Sequence, residues 1–124
     1  MNVKIDTKEK FTVIVPEEAQ LTVNMTDEIK DLLLPYLQKD IPHIVLKMEL
    51  VESVDESIAE NIAQIQQQFY EQDRSFVICC LQKAVVLLLE DKEFLESMNV
   101  TPSESEAWDM VQMEEIERDF LKED

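Results

Sequence analysis

The 124-residue chain contains no glycine. Every turn must therefore be made with Asn, Asp, Pro or ordinary backbone angles, and a glycine-rich phosphate-binding loop is excluded. Basic residues are scarce too: 11 Lys and Arg stand against 28 Asp and Glu, for a formal charge of −17. Such a surface repels phosphate backbones and anionic headgroups, so nucleic acid and bare membrane are poor partners. A protein with a basic face would be attracted, although surface acidity also serves solubility.

Histidine is nearly absent. His43 is the only one, and without Cys-x-x-Cys or His-x-x-x-His spacing a zinc site lacks its ligands. Nucleophilic catalysis lacks a base beside a serine or thiol, and His43 is expected to be a partly exposed sheet residue at a strand entrance. Carboxylate pairs such as Glu17-Glu18 and Glu114-Glu115 have no specificity in so acidic a chain. The residues predict no enzyme, no metal and no cofactor. The only cysteines, Cys79 and Cys80, build no disulfide framework, which fits a reducing cytoplasm; in a strand they would point to opposite faces as small core residues. The opening MNVKIDTKEKF has no apolar leader core, and the longest apolar run, Ala84 to Leu89, is too short to span a bilayer. A soluble, cytoplasmic protein is the expectation, as one domain over residues 1–124 with its core within about 3–120.

Alternation and helical spacing give the order of elements. Val3 and Ile5, then Phe11 to Val15 stopped by Pro16, predict an opening hairpin. Thr26 is placed to cap a helix bearing Asp27 and Glu28 in its first turn and an apolar stripe of Ile29, Leu32, Leu33, Tyr36 and Leu37. Pro35 should kink that helix near Leu34 or end it. Ile44 to Leu50 reads as a strand. Ile58, Ile62, Ile65 and Phe69 then mark a helix to about Gln72, capped by Asp55 or Ser53. Ser75 to Leu81 is apolar on both faces, the pattern of a central strand. Ala84 to Leu89 with Phe94, Leu95 and Met98 favours a helix, and Asn99 to Thr101 a last short strand. Ser103 and Glu106 have capping-box spacing at the start of an acidic final helix, about 103–121, with Ala107, Met110, Val111, Glu114 and Ile116 along it. Trp108 should anchor that helix to the sheet. Met113, Ile116 and Phe120, within Gln112 to Asp124, share one face. Packing on the parent domain is the expected use of that stripe, with a partner helix as the alternative.

This β-β-α-β-α-β-α-β-α order, an α/β fold with a mixed sheet of about five strands and about four helices, resembles the STAS domain family, which includes anti-sigma factor antagonists. The residues that carry the resemblance are HIVLKMELVESVDES, similar to the family's strand, short turn and D-S-[ST]-G, in which Asp55 matches the motif aspartate. Ser103-Glu104-Ser105-Glu106-Ala107 is similar to the T-x-E-E-A start of the family's last helix. Ala19-Gln20-Leu21-Thr22 departs from the family's G-E-[IL]-D and keeps only the leucine.

In antagonists of the family, the serine after the motif aspartate is phosphorylated by an anti-sigma factor kinase, and phosphorylation releases that partner. Carried across, the resemblance puts Glu56 at the phosphoacceptor position, Ser57 on the second Ser/Thr and Ile58 on the glycine. It implies a protein partner, either an anti-sigma factor or kinase, or a transporter component, at a surface of Asp55, Glu56, Ser57, Ile58 and Ala59. Glu56 places roughly one negative charge where phosphorylation would place almost two. Acids in a first helical turn are also ordinary helix-start chemistry, worth about 0.3–1 kcal/mol. Ser57 remains a possible displaced phosphorylation site. Because STAS domains also serve as parts of anion transporters and as small subunits of lipid-transport ATPases, the alternative is a cytoplasmic accessory subunit of a membrane transporter.

Overall fold

A computed structural model of the chain describes residues 1–122. Its centre is a five-stranded sheet ordered β1 (Val3–Thr7), β2 (Phe11–Pro16), β4 (His43–Lys47), β6 (Phe76–Cys79), β7 (Val100–Thr101). β1 pairs antiparallel with β2 as the expected hairpin, and the other neighbours run parallel. All four residues of β6 are buried, as a central strand covered on both faces requires.

Side chains alternate across the sheet and divide the core in two. On one face Ile14, Ile44, Leu46, Phe76 and Ile78 meet Ile29 and Leu33 of α1 (Thr26–Leu33), Ile58, Ile62, Ile65 and Phe69 of α2 (Glu56–Glu71), and Val85 and Leu89 of α3 (Lys83–Asp91). On the other face Phe11, Val13, Val45, Val77 and Cys79 meet α4 (Glu104–Lys122), whose Ala107 and Val111 are buried there with Trp108 and Met110 packed alongside. Trp108 anchors α4 as expected, stacking on Phe11 with ring centroids 4.8 Å apart at 19°.

Several expectations are corrected. Thr26 is the first residue of α1, not its cap; Val23–Met25 form a 3-10 turn before it, and the Thr26 hydroxyl donates to the Val23 carbonyl at 2.7 Å. Pro35 ends α1, one of the two outcomes expected of it. The chain tightens into a 3-10 turn over Leu34–Gln38, because proline has no N–H with which to continue the α ladder. The strand expected to reach Leu50 stops at Lys47, and the chain turns so that β5 (Ser53–Val54) pairs in parallel with β3 (Gln20–Leu21) in a separate two-stranded sheet. Neither two-residue strand has enough length to show a period.

Glycine's usual place at helix ends is taken by acids. After α2 the N–H of Asp73 (φ 60°) donates to the Tyr70 carbonyl and that of Arg74 to Phe69. After α3 the N–H of Glu93 (φ 63°) donates to Glu90 and that of Phe94 to Leu89. Both are Schellman closures on a left-handed residue. The second stops α3 before Phe94, so the helix expected through Met98 gives way to a 3-10 turn at Leu95–Ser97. Cys80 also has positive φ, 62°, which ends β6; it packs on the same cluster as Cys79, not on the opposite face. Burial pushes the Cys79 thiol well above its ordinary range.

His43 is not partly exposed but 2% exposed. Its Nδ1 accepts the Ser75 N–H at 3.0 Å, which leaves Nε2 as the protonated nitrogen of the neutral ring. The Glu115 carboxylate lies 3.3 Å from Nε2, but without a well-formed hydrogen bond. Half of the capping box forms: the Glu106 N–H donates to Ser103 Oγ at 3.2 Å, while the Glu106 carboxylate accepts the Ser103 hydroxyl rather than its backbone amide. The C-terminal stripe does not pack on the domain. Met113, Ile116 and Phe120 are exposed, and the end of the Gln112 to Asp124 segment, residues 123–124, lies outside the described residues.

Candidate functional site at the start of helix α2

The turn leading into α2 is assembled from two distant pieces of chain. After β4, the Met48 N–H donates to the Cys79 carbonyl at 3.0 Å, and Val51 closes a tight turn back onto Met48 at 3.1 Å. The amides of Glu52 and Ser53 then donate to the Ala19 carbonyl, and that of Asp55 to Leu21 at 2.9 Å. The β3–β5 pair therefore fixes the height and direction from which α2 departs. Leu21, paired with Val54 in this sheet, turns its side chain into the core.

Asp55 occupies the N-cap position with extended backbone (ψ 148°). Its own carbonyl accepts the amides of Ile58 and Ala59 at 3.0 and 3.1 Å. Its side chain does not cap the helix; Oδ2 accepts the N–H of Val23 at 2.8 Å. The expected cap is thus right in position and different in chemistry, and Ser53 lies in β5 instead.

Glu56 is the first residue of α2, with its side chain 60% exposed and Oε2 3.8 Å from Lys92 Nζ. Because Asp55 turns its carboxylate toward Val23, the helix start keeps unpaired amides, and an acid there meets the favourable end of the helix dipole. Ser57 is exposed in the same turn. Ile58 and Ala59, expected to be part of a contact surface, are instead buried in the core; they seat the helix and offer no surface. The side chains presented outward are those of Asp55, Glu56 and Ser57. Val23 and Lys92, both exposed, join them from the loop before α1 and the end of α3. Nothing in the linear sequence marks those two, since their proximity depends on the β3–β5 pairing and on where α3 stops.

No group of three His, Cys, Asp or Glu is arranged to hold a metal among the described residues. No helix of the described residues is long and apolar enough to cross a membrane.

A five-stranded mixed sheet with four helices, and a strand-to-helix turn that presents polar groups at the start of α2, define an α/β domain of STAS-like fold. The STAS domain profile matches residues 2–107, and the chain belongs to that family. Three solved structures show the same fold. An anti-sigma-factor antagonist (STAS) domain protein from Planctomyces limnophilus is 21% identical, with a TM-score of 0.72 over 85% of this chain and 93% of that one. A serine-to-glutamate variant of RsbS from Moorella thermoacetica is 20% identical, with a TM-score of 0.71 over 90% and 96%. The murine Slc26a9 anion transporter is 13% identical, with a TM-score of 0.69 over 84% of this chain and 18% of that one. No curated protein matches the chain significantly.

Proposed function

We propose that the protein is a non-catalytic cytoplasmic regulator that works by protein–protein contact, folded as one domain over residues 1–124, with Asp55, Glu56 and Ser57 as the contact surface. The observation that carries this reading is the exposed carboxylate of Glu56 at the first position of α2. Relatives of the antagonist type carry their phosphoacceptor serine at that place. A fixed carboxylate there imitates the phosphorylated, partner-released form. The Moorella thermoacetica structure, a variant in which glutamate replaces serine, supports a glutamate as compatible with this fold.

The test is capture from native lysate with the Glu56→Ser variant beside the wild type. Glu56→Ser should retain a soluble kinase-like partner that the wild type does not hold. Equal capture by both would remove the phosphate-mimic reading and leave Glu56 as helix-start chemistry. Mass spectrometry of the native protein tests Ser57 as the displaced acceptor; an unmodified residue across growth states counts against it. A second reading, an accessory subunit of a membrane transporter, is supported by the likeness to part of the Slc26a9 chain, and recovery of an integral membrane complex in the same capture would favour it.

A further inference from the structure

Helix α4 changes character along its length. In its first half Ala107 and Val111 are buried against the sheet and Trp108 lies on Phe11. In its second half the side chains turned toward the domain are charged: Glu114 accepts from the Asn99 side chain at 3.0 Å, Glu115 faces His43 at 3.3 Å, and Arg118 donates to the Ser75 hydroxyl at 3.0 Å. The opposite side, which on an ordinary surface helix is polar, is apolar here. Met113, Ile116 and Phe120 are 59%, 68% and 75% exposed, and their spacing of three and four residues stacks them in one row. The amphipathic pattern is inverted, with ions inward and a continuous apolar ridge outward. This part of α4 lies beyond residue 107, where the family match ends. It covers the sheet face opposite α2, so the ridge is separate from the turn at Glu56.

The charge around the ridge selects its occupant. Glu117 and Asp119 flank it on the helix, Asp109 lies one turn before Met113, and the whole chain carries −17. A second copy would bring the same acids against one another, and an anionic membrane would be repelled. We propose that the outward face of α4 is a second docking surface, for a protein partner whose amphipathic helix carries an apolar stripe flanked by lysine and arginine. The partner's apolar residues would cover Met113, Ile116 and Phe120 while its basic rim meets the acids, helix packing against helix.

Three labelled peptides of equal length test this on the full chain by fluorescence anisotropy: a Leu–Lys amphipathic helix, a Lys–Ser peptide of equal charge, and a Leu–Glu amphipathic helix. The Leu–Lys peptide should bind about tenfold or more tightly than the Lys–Ser peptide, because three large apolar side chains leave water, and the Leu–Glu peptide should not bind. The variant Met113→Gln/Ile116→Gln/Phe120→Gln keeps the charge and alters only exposed positions, so it should stay folded by circular dichroism and lose the preference for Leu–Lys. Equal binding of the Leu–Lys and Lys–Ser peptides by the wild type, or an unchanged preference in the variant, would overturn the proposal. So would a dimer in sedimentation, or binding to phosphatidylcholine vesicles, that the variant abolishes, since the ridge would then serve a second copy or a lipid surface.

Discussion

The carboxylate of Asp55 accepts the backbone N–H of Val23 at 2.8 Å, 32 residues back along the chain, while the helix that Asp55 begins goes without a side-chain cap. Asp55 is thus a tie between the two loops that frame the candidate site. Asp55→Ala should cost about 1 kcal/mol in urea unfolding, through loss of an exposed, charge-assisted bond. Asp55→Asn, which keeps an acceptor, should cost less. Equal losses for the two would mean that the carbonyl-to-amide contacts of the turn, not this side chain, hold the loops together.

Gln66 splices the edge of the sheet. Its amide donates to the carbonyls of Phe76 and Asn99 and its oxygen accepts the Asn99 N–H at 3.2 Å, the first bond buried and the two to Asn99 partly so. Gln66→Leu leaves the Phe76 carbonyl and the Asn99 N–H without this partner, while the Asn99 carbonyl keeps the Ile78 N–H, and should lower stability by about 2–3 kcal/mol. Gln66→Glu should be worse, because a carboxylate would face two carbonyl oxygens. Denaturant midpoints of the two variants provide the check.

Burial holds the His43 imidazole below its ordinary value of 6.5, against the opposing pull of Glu115. In the unfolded chain the ring takes up a proton at higher pH than in the fold. The stability His43 provides is therefore complete above about 6.5 and declines as pH falls from there toward the lower folded value. Thermal melts between pH 5 and 8 should show wild type losing ground relative to His43→Asn as the solution is acidified, since Asn can still accept from the Ser75 amide without gaining charge. A constant difference across that range would show that His43 does not titrate separately in the two states.

Trp108 is the only tryptophan and lies against Phe11, so its fluorescence reports the docking of α4 alone. Phe11→Ala should red-shift the emission and cost about 3 kcal/mol, the sum of a lost buried ring and its stacking partner. An unshifted spectrum would show that Val45, Val77 and Cys79 suffice to seat the helix.

Long periodic elements are legible in the sequence. The hairpin, the central strand at Phe76–Cys79, the apolar stripe from Ile58 to Phe69 and the Ser103 helix start all follow from spacing, because burial on one face imposes a period on the chain. The site was legible in part. Asp55 and Glu56 stand at the strand-to-helix junction that the spacing predicts, but the outward turn of Asp55 toward Val23 and the nearness of Lys92 depend on contacts across more than 30 residues. The two-residue strands β3 and β5 could not be read for the same reason: their pairing is set by tertiary contact, not by any local preference. The burial of His43 is not legible because it comes from α4 crossing over it, nor is the exposure of Ile116 and Phe120, because an apolar stripe normally implies something to cover it.

The left-handed closures at Asp73 and Glu93, with Cys80 beside them, bear on the denatured chain as much as on the fold. Each non-glycine residue held at positive φ carries local strain of about 1–2 kcal/mol. A polypeptide without glycine, however, roams fewer backbone conformers when unfolded, so it gives up less freedom on becoming ordered. Strain concentrated at three points is set against a narrower random ensemble spread over all 124 residues.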